Sequence, residues 1–214
     1  MTEVTVWGHA AVSLEKESRC LTIDPGIFSL RKSIDRAEAV LLTHTHPDHL
    51  DLEGLRASDV PIWGDDEVVS ALTSQGFSAE RLHTLEPGDV ADVAGFVVEA
   101  FGGDHAIIHR DLPREANLAY IVDGQYLHPG DSFSVPGPGR HPDVLFLPVS
   151  APWLNFTQVV DYVREIDPDI VIPIHDASLS EPGIGLTDRV LAELLDKPRY
   201  VRLEVGEPHT LLAG

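Results

Sequence analysis

Cysteine is almost absent from this chain. Cys20 is the only one in 214 residues, so no intrachain disulfide can form and a cytoplasmic setting is expected. No uninterrupted apolar run approaches the length needed to cross a bilayer. The opening Met1-Thr2-Glu3-Val4-Thr5-Val6-Trp7 alternates like a strand and has no basic start, so neither a membrane anchor nor a signal peptide is expected. Positive charge is scarce as well, with 15 basic against 35 acidic residues and a formal charge of −20. Such a surface repels nucleic-acid phosphates and the anionic inner leaflet, which leaves a small-molecule substrate as the expected partner. No Gly-x-Ser-x-Gly elbow is present, so a serine nucleophile of that type is excluded. The chain also lacks internal repeats, low-complexity tracts and linkers, and its length suits one domain spanning residues 1–214.

Histidine, by contrast, is plentiful and unevenly placed. His44-Thr45-His46-Pro47-Asp48-His49 packs three imidazoles and a carboxylate into six residues, directly after the apolar run Ala39-Val40-Leu41-Leu42. That run reads as a short buried strand, so the donors sit in the loop leaving its carboxyl end. Neutral imidazole and ionised carboxylate suit zinc, iron or manganese. Alternate residues such as His44 and His46 can converge on one ion, while Asp48 and His49 lie further on and can point at a second.

Four more polar donors end probable strands. His105 follows Phe96–Phe101 across Gly102-Gly103, Asp131 follows Tyr126–Gly130, His175 follows Ile170–Ile174, and Asp24 follows Leu21–Ile23. Loops at one rim of a sheet bring such distant residues together. His105 is favoured over His109 because it comes straight off its strand. Asp24 reads best as a buried acceptor steadying the histidine loop. His9 and His128 are candidates for orienting ligands or contacting substrate. His83, His141 and His209 read as ordinary surface or edge residues.

The remaining pattern is strand-rich at first, then alternating. Strands are expected at 1–7, 11–15, 21–23, 39–42, 61–63, 96–100, 118–122, 126–127, 144–149, 170–174 and 200–205. Helices are expected over 65–75, 157–166 and 188–195, with a short one opened by Asp48-His49-Leu50-Asp51, where Asp is a good cap. Two packed sheets with helices on their outer faces fit this order, an α/β (α+β) class.

With these residues in place the chain resembles the metallo-β-lactamase-fold superfamily of metal-dependent hydrolases. The pattern His-x-His-x-Asp-His is complete, and a separate His, the pair Gly130-Asp131 and the late His175 follow in the family's order. Gly8-His9-Ala10, Ile23-Asp24-Pro25 and Tyr126–Asp131 look most like its compact branch, which includes proteins similar to ascorbate-6-phosphate lactonase. The resemblance implies a four-layer αββα sandwich with the site at the rim between two mixed sheets. It implies two divalent metal ions, zinc first and manganese or iron as alternatives. His44, His46 and His105 would hold one, Asp48, His49 and His175 the other, with Asp131 bridging. The implied activity is hydrolysis of an ester, lactone, amide or phosphodiester by a metal-bridging hydroxide, with Asp48, His9 and His128 as catalytic candidates. A mononuclear iron sulfur dioxygenase and a non-enzymatic metal or ligand sensor are the competing readings. Substrate choice is expected in loops 27–36, 106–115, 133–141, 151–155 and 178–186. There Phe28, Phe133, Trp153 and Ile184 would offer apolar walls, and Arg31, Lys32, Arg110 and Arg114 could hold an anionic group. Aromatic side chains in these loops would also suit a homo-oligomer.

Overall fold

A computed structural model describes residues 1–195 and 199–211. Its first sheet is built from β1 (Glu3–Gly8), β2 (Ala11–Lys16), β3 (Arg19–Ile23), β4 (Ala39–Leu41), β5 (Ile62–Gly64) and β6 (Leu82–Thr84). The second contains β7 (Val90–Val93), β8 (Phe96–Gly102), β9 (Leu118–Val122), β10 (Tyr126–His128), β11 (Val144–Pro148), β12 (Ile170–Ile174) and β13 (Arg199–Tyr200). β14 (His209–Thr210) returns to the first sheet as an edge beside β1. Each sheet has seven strands, in the orders β14-β1-β2-β3-β4-β5-β6 and β13-β12-β11-β10-β9-β8-β7. Both begin as an antiparallel meander and continue as parallel strands, β3 to β6 in one and β10 to β13 in the other.

Alternation in the strands decides what lies between the sheets. Val4, Val12, Leu14, Leu21 and Leu41 from one sheet meet Phe96, Val98, Tyr120, Phe146 and Ile172 from the other in one buried cluster. The opposite faces are covered by helices. α1 (Lys32–Asp35), α2 (Leu52–Arg56) and α3 (Asp66–Ser74) bury Ile34, Leu55, Val68 and Leu72 against Val40 and Ile62. α4 (Phe156–Ile166) and α5 (Glu181–Leu194) bury Val159, Val163 and Leu191 against Leu145, Leu147 and Val171. The result is the αββα sandwich, with β4, β11 and β12 apolar on both faces because each is covered twice.

Several boundaries differ from the sequence expectation for local reasons. The short helix expected to open within 48–51 is capped by Asp51, whose carboxylate accepts from Gly54 N–H at 2.9 Å. Asp48 and His49 instead lie in a turn closed by His49 N–H and Leu50 N–H donating to the His46 carbonyl. α5 starts seven residues before position 188, capped by Ser180 with Pro182 in its first turn. Gly183 and Gly185 obscure that start, since glycine disfavours helix interiors. The expected strand over 200–205 shortens to β13, and β6, β7 and β14 are too short or too exposed to show a clear alternation.

The two sheets are tied together at the site end. Tyr120 of β9 is fully buried, and its hydroxyl donates to the Leu42 carbonyl, just past β4, at 2.7 Å. Leu118 N–H donates to the next carbonyl, Thr43, at 2.9 Å. Tyr120→Phe removes the first tie and leaves a buried carbonyl without that donor. It should lower stability by about 1–2 kcal/mol, read as a lower urea midpoint with an unchanged slope.

Candidate metal centre

The donors singled out in the sequence leave one rim of the sandwich. The histidine loop leaves β4, Asp24 leaves β3, His105 leaves β8, Asp131 leaves β10 and His175 leaves β12. In sheets of this kind the carboxyl ends of parallel strands open onto the ligand crevice.

Asp24 anchors the histidine loop. It is completely buried and accepts from Thr43 N–H at 2.8 Å, from the Thr43 hydroxyl at 2.7 Å and from His49 Nδ1 at 2.7 Å. The Thr43 hydroxyl also lies 3.0 Å from His44 Nδ1, so His44, Thr43 and Asp24 form one hydrogen-bonded chain. Asp24 sits at φ +51°, and His9 and His175 at +50° and +60°, a left-handed region that costs most residues free energy. Two glycines allow the close packing around them. A Cβ on Gly26 would lie 1.8 Å from the Asp48 carbonyl oxygen, and one on Gly130 would lie 2.3 Å from Asn117 Oδ1.

The other imidazoles are oriented the same way, each with one nitrogen held by a protein oxygen. His105 Nδ1 is 2.6 Å from the Ala106 carbonyl, His175 Nδ1 is 2.6 Å from the Ser150 carbonyl, and His46 Nε2 is 3.2 Å from Glu115 Oε2. Such partners set the tautomer and aim the second nitrogen. Those second nitrogens converge. His44 Nε2 and His46 Nδ1 are 3.0 Å apart, and His49 Nε2 and His175 Nε2 lie 3.2 and 3.1 Å from Asp131 Oδ1. Asp131 is held by Trp153, whose indole N–H donates to Oδ2 at 2.9 Å, and by Asn117, which accepts its backbone N–H at 2.9 Å.

Two groups of potential ligand atoms result, His44, His46, His105 and Asp131 in one, His9, Asp48, His49 and His175 in the other. Within each group the atoms lie within 4.8 Å of one another. Four of the buried polar atoms, His49 Nε2, His105 Nε2, His175 Nε2 and Asp131 Oδ1, have no hydrogen-bond partner in the protein despite their close approaches. They face shared space without pairing with one another, an arrangement that fits cations and is costly without them. His9 belongs to its group by position, but it accepts Ala177 N–H at Nδ1 (3.2 Å), so its Nε2–H donates to Asp48 (3.1 Å).

The electrostatics reflect the same convergence. Burial opposes a charge on His49, yet the Asp131 and Asp24 carboxylates outweigh it and push its pKa up to about 10. Burial likewise opposes a charge on His175, and the close Asp131 and Asp48 carboxylates push it up to about 9. For Asp131 burial favours the neutral acid, but the neighbouring His49, His105 and His175 hold it well below the usual carboxylate range. Asp48 is held low against its burial by His175 and His9. Burial, reinforced by His49, keeps His44 neutral. The spot is one where positive charge is strongly favoured.

His109 lies outside both groups, exposed, with Nδ1 3.5 Å from Asp111. His128 is fully buried behind Asp24, its nitrogens engaged by the Ala10 carbonyl (2.8 Å) and Gly130 N–H (3.2 Å). That geometry suits orienting the turn before Asp131, with the ring closed off from solvent. Asn117 and Glu115 were missed in the sequence, although a lone Asn before the all-apolar strand 118–122 was a usable sign. Trp153, expected as an apolar wall, contributes its indole N–H instead. His83 stacks on Trp63 with ring centroids 4.3 Å apart.

Fold and donor set together define a metal-dependent hydrolase with the metallo-β-lactamase fold. Residues 3–175 match the family model described as Beta-lactamase superfamily domain, and the chain belongs to that family. Protein Rv0786c of Mycobacterium tuberculosis is 33% identical over 202 residues, covering 90% of this chain and 92% of that protein. The UPF0173 metal-dependent hydrolase of Lysinibacillus sphaericus is 26% identical over 229 residues, covering 96% of this chain and 97% of that one. Among solved structures, Igni18, a metallo hydrolase of Ignicoccus hospitalis, superposes with a TM-score of 0.75. It is 21% identical and covers 100% of this chain and 99% of its own, a likeness of fold.

Asp24 should be the most sensitive residue outside the two donor groups. Asp24→Ala strands three buried donors and should lower stability by roughly 3–5 kcal/mol in a chemical denaturation curve. Asp24→Asn should cost less, because Asn tolerates the left-handed backbone and keeps one acceptor oxygen.

Proposed function

We propose that the chain, as one domain over residues 1–214 acting in the cytoplasm, uses two divalent cations to hydrolyse a small molecule. The bond is an ester, lactone, amide or phosphodiester. The observation that supports this most is the set of buried, partnerless donor atoms on His49, His105, His175 and Asp131. His44 Nε2, His46 Nδ1 and His105 Nε2 would hold one cation, and Asp48, His49 Nε2 and His175 Nε2 the other, with Asp131 facing both. Imidazole and carboxylate donors without thiolate make zinc the first choice and manganese or iron the alternatives. When bound, such cations lower the pKa of water towards neutrality and polarise a carbonyl or phosphoryl oxygen.

The protein's own side chains do the rest. Asp48 is the more open of the two donor carboxylates, with its side chain 27% exposed against 5% for Asp131. It is therefore placed to take up a proton from water on the substrate side, while His9 fixes its Oδ2. Glu115 steadies His46 and strengthens it as a donor, and the Trp153 indole keeps Asp131 Oδ1 turned towards His49 and His175.

Metal analysis of protein purified without chelator, coupled to a panel of chromogenic esters, lactones and phosphodiesters, tests this reading. Two ions per chain are expected, with hydrolysis lost on chelation and restored by metal. One iron per chain with oxygen consumption would favour the dioxygenase reading. Asp48→Ala should bind about one ion and lose at least about 100-fold in turnover. Full metal content with unchanged turnover in that variant would refute the assignment.

A further inference from the structure

The centre continues on one side into a cavity of about 180 Å³ that His46 and His105 share with the loop after β8. Ala106, Ile107, Ile108, Leu112 and Pro113 make up half of its lining, and His109, Arg114 and Glu115 complete it with the two histidines of the centre. Ile107 and Leu112 are 64% and 54% exposed, a clustering of aliphatic side chains in water that is unfavourable unless something covers them. A second apolar wall adjoins the other donor group. Ile27 and Phe28 are 54% and 56% exposed. Ile27 N–H donates to the Pro47 carbonyl at 2.9 Å, and the Phe28 ring packs edge-on to His9 with centroids 5.5 Å apart.

Two of the cations near the centre, Arg114 and Arg31, are already engaged. Arg114, the one Lys or Arg side chain lining the cavity among the described residues, donates from Nε to the His105 carbonyl (2.7 Å) and pairs with Asp104 (3.0 Å). Arg31 donates to the Gly54 carbonyl at 2.8 Å, with Asp35 and Asp51 at 3.6 and 4.0 Å. Lys32 lies over the Trp7 ring, and Arg110 sits 3.8 Å from Asp111, away from the cavity lining. The carboxylate in the wall is Glu115. A negative charge on the part of the substrate that lies in the cavity, away from the two cations, would enter against Glu115.

Resting on the hydrolase reading above, we infer that the cavity binds the uncharged, apolar acyl part of an ester or lactone. Esters with a free carboxylate in the part that lies beside Glu115 are discriminated against. The aliphatic wall supplies affinity through its burial, and Glu115 supplies the discrimination.

The test compares para-nitrophenyl butyrate with mono-para-nitrophenyl glutarate and bis(para-nitrophenyl) phosphate on the metal-loaded full chain. The butyrate should be favoured by about tenfold or more in kcat/KM. Leu112→Asp should raise KM for the butyrate about tenfold with metal content unchanged, and Leu112→Lys should shift preference towards the glutarate ester. Both positions 107 and 112 are exposed, so the fold should tolerate these changes. A second readout needs no turnover: ligand-observed NMR of hexanamide with metal-free protein, which should show binding to wild type and none to Leu112→Asp. Faster cleavage of the glutarate ester or the phosphodiester overturns the inference. So does hexanamide binding that survives in both Leu112→Asp and Ile107→Asp. Hexanamide bound by wild type and lost in Leu112→Asp, with no ester cleaved, supports the cavity assignment and overturns the proposed bond class instead.

Discussion

A carboxylate with no exposure to water persists only where its lone pairs are satisfied at short range, and Asp24 meets that condition three times over. One oxygen takes the Thr43 amide, and the other is shared by the Thr43 hydroxyl and His49 Nδ1. Because Thr43 begins the histidine loop and His49 ends it, a single buried charge sets the curvature of the whole loop. Its backbone is forced into a left-handed conformation to reach there, and the strain is offset by those charge-assisted bonds. Thr43 in turn receives Leu118 N–H from the opposite sheet, so the same anchor fixes the loop relative to the residues arriving from β8, β10 and β12.

Around that anchor the imidazoles obey a common rule. Carbonyls of Ala106 and Ser150, the carboxylates of Asp24 and Glu115 and the hydroxyl of Thr43 each lie against one ring nitrogen. The free nitrogen is then determined, and it faces inward. Three carboxylates, Asp24, Asp48 and Asp131, bring enough negative potential to raise His49 and His175 far above the usual imidazole range despite their burial. A centre of this kind is arranged before anything binds, which limits the reorganisation needed during chemistry.

Outside the centre the chain's acidity works differently. Arg114 and Arg31 in the rim loops are tied to neighbouring carboxylates and carbonyls, and aliphatic side chains make up half of the cavity lining. Charge at the centre and apolar walls beside it divide the task between chemistry and recognition, as small-molecule sites commonly do.

Much of the fold and of the candidate site was legible because it is written locally. Strands 118–122, 144–148 and 170–174 are apolar runs, and the six residues from His44 to His49 need no partner to advertise donors. The start of α5 was hidden by Gly183 and Gly185, and the segment 48–51 did not separate the cap of α2 from the ligands, because a helix signal and a ligand signal overlap there. Asn117, Glu115 and the indole N–H of Trp153 could not be assigned from spacing, since each acts on a residue far away in the chain. By itself the sequence determined the donor types, their order and the apolar periodicity that makes two covered sheets. Only the tertiary structure decided which nitrogen of each imidazole faces inward, that His128 is turned into the interior, and that the rim arginines are already paired. Those outcomes depend on hydrogen bonds and charge contacts between residues brought together by sheet packing, a distance relation that linear spacing does not encode.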